Sequence, residues 1–215
     1  NINQAWEPEI ALAIDLAFDK RLLYPALEKF LPECRGSRLT MIDTVLTGTD
    51  DAITQHKVDL AIAHQIPKGF LGEPFAEVTF VAVCHPQHPI THIPSPIDPD
   101  ALSRHLQLVI KDTSNQPKEN SGWLKSENRW TVSQFTTAID LLLRNVGFCW
   151  LPEYLVAEHI TSGRLQLLKI NGSTHKLYTS FLIIPQPDNI GPSAQLLADL
   201  ILQHRSISLT PDTKD

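Results

Sequence analysis

The chain has 215 residues, of which 42% are hydrophobic and 20% charged, as expected for a soluble globular protein with one large or two small domains. The formal net charge of −6 and the lack of a basic stripe argue against direct binding to nucleic acid or to an anionic membrane surface. No apolar run reaches the ~18 residues of a membrane span, and residues 1–8 do not resemble a secretory signal. Three scattered cysteines, Cys34, Cys84 and Cys149, indicate a reducing compartment, so we expect a cytoplasmic protein.

The first 63 residues alternate between strand and helix patterns. Apolar residues recur at every second position from Glu9 to Phe18, which is typical of a half-buried strand. The other elements predicted here are a helix capped by Asp19, a strand over Arg38–Leu46, a turn at Thr47–Gly48–Thr49, a short helix capped by Asp50 or Asp51, and a buried strand over Val58–Ala63. This order indicates a wound α/β sheet.

A proline cluster follows the apolar strand Phe75–Cys84, and a second α/β series begins after it. The predicted elements are a helix over Asp100–His105, a strand over Leu106–Lys111, a loop over Thr113–Lys125, a strand over Arg129–Val132, a helix capped by Ser133 and stopped by Gly147, a strand over Phe148–Leu151, a helix opened by Pro152, strands over Leu165–Ile170 and Lys176–Ile184, and a last helix capped by Ser193.

The two series predict two lobes joined by two crossings. We expect residues 1–86 plus 180–215 to form lobe I and residues 87–179 to form lobe II. Two hinged α/β lobes enclose a cleft, and such a cleft is the usual place for a small ligand.

Four segments, in order along nearly the whole chain, resemble one known family. They are Leu22-Leu23-Tyr24-Pro25, Thr47–Gly48–Thr49 with the segment 57–62, the hinge segment 81–90 with its His-Pro pairs, and the segment 147–152. In this order they resemble the effector-binding domain of LysR-type transcription regulators. Lys57 replaces a usual glycine of the family's "G-x-L-D-x-A-I" segment, and Phe148 and Cys149 cover the position of another glycine.

The resemblance implies a ligand-sensing function and an α/β fold of the periplasmic-binding-protein-like type 2, with two Rossmann-like lobes joined by two crossover strands. It also implies a small-molecule effector in the cleft, allosteric transmission to an N-terminal winged helix-turn-helix absent from this chain, and DNA binding only through that domain. Dimers and tetramers would form through the first helix of one subunit and a second-lobe helix of the other, antiparallel. RNA polymerase is a candidate further partner. No cofactor, metal or membrane partner is expected.

The resemblance also assigns effector-binding residues to strand ends and turns of both lobes. These are Ala17, Phe18, Asp19, Thr47, Gly48, Thr49, His64, Val132, Ser133, Gly147 and Phe148. Helix starts at Asp19 and Ser133 would offer backbone N–H groups to an anionic ligand group. An apolar Phe18 beside Asp19, where the family often has Ser or Thr, argues against a simple carboxylate effector.

Several residues have two interpretations each. Asp15 is either a buried acid in the cleft or a residue on the polar side of a strand end. His64 either contacts ligand or lies in a solvated loop. Trp123 and Trp130 either line the cleft or pack the lobe, and Cys149 is a buried thiol rather than a redox sensor.

A metal site and an enzyme are the sharper alternatives for this chain. Cys84, His85, His88 and His92 are metal-ligand types, but two intervening prolines prevent helical spacing, so a hinge is the simpler interpretation. The chain has no recognisable catalytic motif, so we expect no enzyme. The alternatives that stay open are a solute-binding protein of a transporter and an enzyme on the same fold.

Overall fold

A computed structural model describes residues 5–117 and 126–207. The chain forms two compact units. Unit 1 comprises Asn1–Thr44, Gly48–Glu77 and Thr179–Asp215, and unit 2 comprises Val45–Thr47 and Val78–Tyr178. The chain therefore first passes from unit 1 to the main part of unit 2 before the proline cluster, inside a strand. The continuous apolar pattern of that strand gives no sign of the boundary.

Unit 1 contains a three-stranded parallel sheet extended by one antiparallel strand. The elements are β1 (Glu9–Asp15), α1 (Tyr24–Phe30), β2 (Arg38–Thr44), α2 (Thr47–Thr54), β3 (Leu60–Ala63), the start of β4 (Gly72–Cys84), the end of β9 (His175–Ile183) and α6 (Pro192–Gln203). The order of the sheet is β2-β1-β3-β9, with Leu12 opposite Leu60 and Ala61 opposite Ile183. The core lies between this sheet and the helices α1 and α6, where the Phe18 and Phe75 rings lie 5.4 Å apart.

Unit 2 continues β4 and adds α3 (Pro99–Leu102), β5 (Gln107–Ile110), β6 (Arg129–Val132), α4 (Phe135–Leu143), β7 (Phe148–Pro152), α5 (Glu153–Thr161) and β8 (Gln166–Leu167). Its strand order is β4-β7-β5-β6, with β8 on the other side of β4. β5 is parallel to both β6 and β7, whereas β7 is antiparallel to β4. Across the two described ranges, no helix combines the length and apolar character that crossing a membrane requires.

Three predicted helix starts are wrong. Thr47–Gly48–Thr49 is not a turn before a helix capped by an aspartate, because α2 already begins at Thr47. Gln134 rather than Ser133 is the N-cap of α4, and no side chain caps that helix. Gly191 rather than Ser193 precedes α6, and Pro192 occupies its first turn, where a missing N–H costs nothing.

Gly147 does not stop α4, as the sequence predicted, but begins the turn into β7. The helix ends four residues earlier, at Leu143, and Asn145 adopts φ +63 in the connection. Gly147 itself has φ +70, and an added Cβ would lie 2.7 Å from the Leu106 carbonyl oxygen. Only glycine fits this close approach without strain.

The segment Trp6–Pro8 is anchored to unit 1 at its entry into β1. The Trp6 indole donates to the Cys34 carbonyl oxygen at 2.6 Å, and the Arg35 guanidinium lies 4.6 Å from the centre of the Trp6 ring. The Ser37 hydroxyl donates to the Glu7 carbonyl oxygen. These contacts hold the entering chain against the loop between α1 and β2.

The Glu7 carboxylate caps the last helix of the described chain. Its two oxygens accept the backbone N–H groups of Ser193 at 2.8 Å and Ala194 at 2.9 Å. A Cβ on Gly191 would overlap this carboxyl group, so the glycine makes room for it. The first and last elements of unit 1 are thereby bonded to each other.

Candidate functional site

The parallel strands of unit 1 bring polar residues to one edge of the sheet. Asp15 ends β1, Thr44 ends β2, and His64 follows the last residue of β3. Because parallel strands end at the same edge, these side chains lie together, and α2 begins beside them. Carboxyl edges of this kind are where α/β folds bind ligands.

Asp15 is the centre of this cluster. Its residue surface is only 9% exposed. One carboxylate oxygen, Oδ1, accepts the Ala17 backbone N–H at 3.0 Å, and the other, Oδ2, accepts the Thr49 hydroxyl at 3.1 Å. The Thr49 and Thr44 hydroxyls lie 2.8 Å apart. A buried carboxylate needs such donors, because burial without them strongly disfavours its charge.

His64 connects the same carboxylate to β9. Its Nε2 lies 3.4 Å from Asp15 Oδ1. Its Nδ1 lies 3.4 Å from both the Thr179 carbonyl oxygen and the Ser180 hydroxyl oxygen. The imidazole is therefore held between β1 and the point where β9 enters unit 1, and a solvated loop position does not describe it.

The turn after β1 shows its predicted residues in local roles. The Ala17 N–H bonds Asp15, and the Phe18 side chain, 2% exposed, belongs to the core of unit 1. Asp19 caps a three-residue 3-10 helix and binds the Arg21 guanidinium at 2.7 Å. This hydrogen-bonded Arg21 lowers the pKa of the Asp19 carboxyl.

The first turn of α2 is buried, contains Asp50 and is hydrogen-bonded to Asp112. Thr47, Thr49 and Asp50 are each less than 10% exposed. The Thr47 backbone N–H donates to Asp112 Oδ2 at 3.0 Å, and Asp50 accepts the Gln65 side-chain amide at 2.8 Å. Gly48 is buried between the two threonines.

In unit 2 the structure does not bring the four predicted residues together. β6 and β7 are both parallel to β5, with Val132 opposite Ile110 at the carboxyl end and Phe148 opposite Gln107 at the amino end. The half-buried Val132 and the exposed Ser133 thus lie at the opposite sheet edge from the buried pair Gly147 and Phe148. Phe148 is fully buried in the core of the unit.

The histidines near the proline cluster make local contacts. His88, 8% exposed, accepts the Ile90 N–H at 3.0 Å, and its ring lies 5.5 Å from that of His105. Burial, and then the neighbouring His105 and His85, lower the pKa of His88. The described parts of the chain hold no group of His, Cys, Asp and Glu arranged to bind a metal ion.

The two cysteines of β4 and β7 lie in adjacent strands without facing each other. Cys84 is opposite Phe148, and Cys149 is opposite Val83, so the two thiols point to opposite faces of the sheet. Burial raises the pKa of each thiol to about 12. Trp130 is 52% exposed, and Trp123 lies outside the described residues.

A family model described as the LysR substrate binding domain matches residues 3–206. The chain belongs to this family. Among the curated relatives, this LysR substrate-binding domain is 28% identical over 178 residues to the uncharacterized HTH-type transcriptional regulator YeeY of Escherichia coli K12, and 29% identical over 170 residues to the HTH-type transcriptional activator AllS of Klebsiella pneumoniae. The alignments cover 80% and 76% of the chain, and 58% and 63% of the relatives. The chain thus spans about three fifths of the relatives' length.

Solved structures show the same fold. The regulatory domain of MetR, a LysR family regulator from N. meningitidis, superposes with a TM-score of 0.67 at 18% identity, covering 91% of the chain and 93% of that structure. The effector binding domain of QuiR in complex with shikimate has a TM-score of 0.66 at 16% identity, covering 93% and 97%. The expected periplasmic-binding-protein-like α/β fold and the LysR family are confirmed.

Two members of the Asp15 cluster were missing from the sequence prediction. Thr44 was placed inside a longer strand, and Ser180 is in β9, more than a hundred positions beyond His64. The spacing of polar residues in one segment contains no signal for either contact. The parallel pairing of β1 with β2, at Asp15 opposite Thr44, is what brings the first of them into place.

Proposed function

We propose that this LysR substrate-binding domain binds a small-molecule effector at the carboxyl ends of β1, β2 and β3 and does not chemically convert it. The observation that carries the proposal is the buried Asp15 carboxylate, which accepts hydrogen bonds from the Ala17 N–H and the Thr49 hydroxyl and lies 3.4 Å from the His64 ring. Such a preformed group fixes a ligand's orientation at little cost in ordering. The relatives reported above are transcription regulators.

Transmission would start at His64. The imidazole connects Asp15 to Thr179 and Ser180, the first residues of unit 1 in β9, a strand that belongs to both units. A ligand bound at Asp15 therefore acts on a connecting strand. An effector that favours one arrangement of that strand shifts the population toward it.

The regulatory output would pass through the residues before β1. The contacts of Trp6 and Glu7 hold this segment to unit 1. We propose that a DNA-binding domain attached there moves with unit 1, in a cytoplasmic regulator that contacts DNA only through that domain, with RNA polymerase as a candidate partner.

The family resemblance also assigns part of effector binding to unit 2. Of its four predicted residues, we retain Val132 and Ser133, which lie at a carboxyl strand edge as the unit 1 cluster does. Gly147 and Phe148 are not retained. The glycine is required by a close backbone approach, and the phenylalanine is a core residue.

Exposed apolar side chains support self-association through α1 and the edge strand β2. Tyr24 is 50% exposed, Leu31 74%, Met41 49% and Ile42 42%. An apolar edge of this kind is unusual on a monomer and is typical of an interface. We propose that this surface is one side of the dimer contact, which the family resemblance pairs with a second-lobe helix of the other subunit. L31E should shift the chain toward monomer in sedimentation.

Ligand screening by thermal unfolding tests the effector proposal. We expect one class among amines, amides, acids and sugars to raise Tm by about 5–10 °C at ~100 times its Kd. T49V should remove the shift in Tm, because it deletes the Thr49 hydroxyl that orients the Asp15 carboxylate. T54V, at the exposed end of the same helix, is the matched control. A full response of T49V, or no shift with any class, contradicts the proposed site.

A further inference from the structure

The hydrogen-bond network around Asp15 ends in an acceptor. We infer that the Asp15 subsite determines specificity by recognising an N–H donor of the effector, such as an amidine, ammonium or amide group, and by excluding a carboxylate from this position. The inference rests on the proposed function and specifies the chemistry of its ligand.

The direction of the hydrogen bonds supports this conclusion. The Thr44 hydroxyl can donate to Thr49, and the Thr49 hydroxyl then donates to Asp15 Oδ2. On the other side, His64 Nε2 lies 3.4 Å from Asp15 Oδ1, and in the tautomer that carries its proton on Nε2 the ring presents an N–H to the carboxylate while Nδ1 can accept from the Ser180 hydroxyl. Both series of polar side chains lead to the Asp15 carboxylate, which when ionised only accepts.

The carboxylate has acceptor capacity left after these contacts. An ionised carboxylate offers about four lone-pair positions. Two hydrogen-bond donors are in place, namely the Ala17 N–H on Oδ1 and the Thr49 hydroxyl on Oδ2, and the His64 Nε2 lies 3.4 Å from Oδ1. About one position remains, on Oδ2, and 9% of the residue's surface is exposed. A ligand N–H satisfies this position, whereas a ligand oxygen without hydrogen leaves two acceptors facing each other.

The surrounding charge disfavours an anion at the same place. Asp50, also buried, is in the first turn of α2 one residue after Thr49. The Thr47 N–H at the start of that helix already donates to Asp112. Within the described ranges, no Lys or Arg is buried. A carboxylate brought to Asp15 would therefore add like charge in a poorly solvated place.

Isosteric fragment pairs test the inference without knowledge of the natural effector. Benzamidine against benzoate and nicotinamide against nicotinate differ mainly in N–H donors and charge. Each fragment is titrated to millimolar concentration into the 15N-labelled chain. The amide signal of Ala17 reports binding, because this N–H is bonded to Asp15 itself.

We expect benzamidine and nicotinamide to shift the Ala17 signal and the two acids not to do so. D15N should weaken the donor fragments about tenfold or more, since hydrogen bonds to charged groups are the stronger ones. It should also allow benzoate to bind. D199N is the matched control, because the exposed Asp199 carboxylate on α6 accepts from the Gln195 side chain and has no assigned role in binding, and it should keep the preference of the wild type.

Three results overturn the inference. Binding of benzoate to the wild type at Ala17 with no loss in D15N would leave the effector site standing and remove its donor specificity. Equal effects of D15N and D199N would show a general charge effect. No shift of Ala17 by any fragment would count against both the subsite and the effector site. If D15N does not fold, H64Q, which keeps the carboxylate, must retain the donor preference.

Discussion

Removal of the Glu7 side chain should destabilise unit 1 although Glu7 lies before its first strand. The Glu7 carboxylate accepts two backbone N–H groups at the start of α6, from Ser193 and Ala194. These are among the N–H groups that a helix cannot satisfy internally. In E7A they lose a charged partner, and the favourable interaction with the helix dipole is lost with it.

The expected loss is about 2 kcal/mol of unfolding free energy, the range of a lost helix cap and of hydrogen bonds to a charged group. For a chain of this size that loss lowers Tm by about 4–8 °C. E7Q keeps one acceptor oxygen and should lose roughly half as much.

G191A tests the same contact from the other side. Gly191 has φ −80 and ψ 167, which alanine adopts without strain, but its Cβ would overlap the Glu7 carboxyl group. G191A should therefore be costly in the wild type and nearly neutral in E7A, with a coupling of about 1–2 kcal/mol. Urea unfolding of the four chains measures this cycle. Additive losses, or an E7A loss below about 0.5 kcal/mol, would refute the capping argument.

Three further predictions concern unit 2. Cys84 and Cys149 should stay unlabelled by a thiol reagent at pH 8 until the chain is unfolded, because burial raises their pKa to about 12 and leaves no thiolate. The pKa of His88 is lowered from 6.5 in the folded chain, so the unfolded chain binds a proton at this side chain more readily. The contribution of His88 to stability is therefore fully present above pH 6.5 and is lost as the pH falls through the folded pKa. H88N should reduce this pH dependence of the unfolding free energy in urea. G147A should cost about 3 kcal/mol by thermal unfolding, and G172A, with φ +82 but no atom near an added Cβ, about 1 kcal/mol.

Each of these has a clear contrary outcome. Mass spectrometry that finds label on either cysteine in the native chain contradicts the burial argument. A pH slope that H88N leaves unchanged assigns acid destabilisation to other groups. Equal losses of stability in the two glycine variants would mean that the positive φ alone causes the loss, with no contribution from the contact to Leu106.

Periodicity predicted the order of elements well, because it depends on which side of each element is buried. The strand Arg129–Val132 has the bounds expected from its sequence, and β1 begins at the expected Glu9. The ends of elements were less predictable. β1 stops at Asp15 because that side chain bonds the Ala17 N–H and turns the chain, while the apolar alternation continues to Phe18 in the core.

The helix starts failed for a related reason. Serine is a residue type that often caps helices, which is why the sequence predicts a cap at Ser193. The group that caps α6 is instead the side chain of Glu7, 186 positions away. The Asp15 cluster is of the same kind, since His64 and Ser180 are separated by 116 positions. Local sequence patterns contain no information about partners that only the sheet order brings together.

The division of unit 1 between the two ends of the chain has a consequence for synthesis on the ribosome. Unit 1 needs β9 beside β3 and α6 beside α1, and both arrive after the whole of unit 2 has been made. Unit 2, by contrast, is almost continuous in sequence, from Val78 to Tyr178. The later-made unit can therefore fold first, while the β1 and β3 surfaces stay uncovered until the last helix emerges.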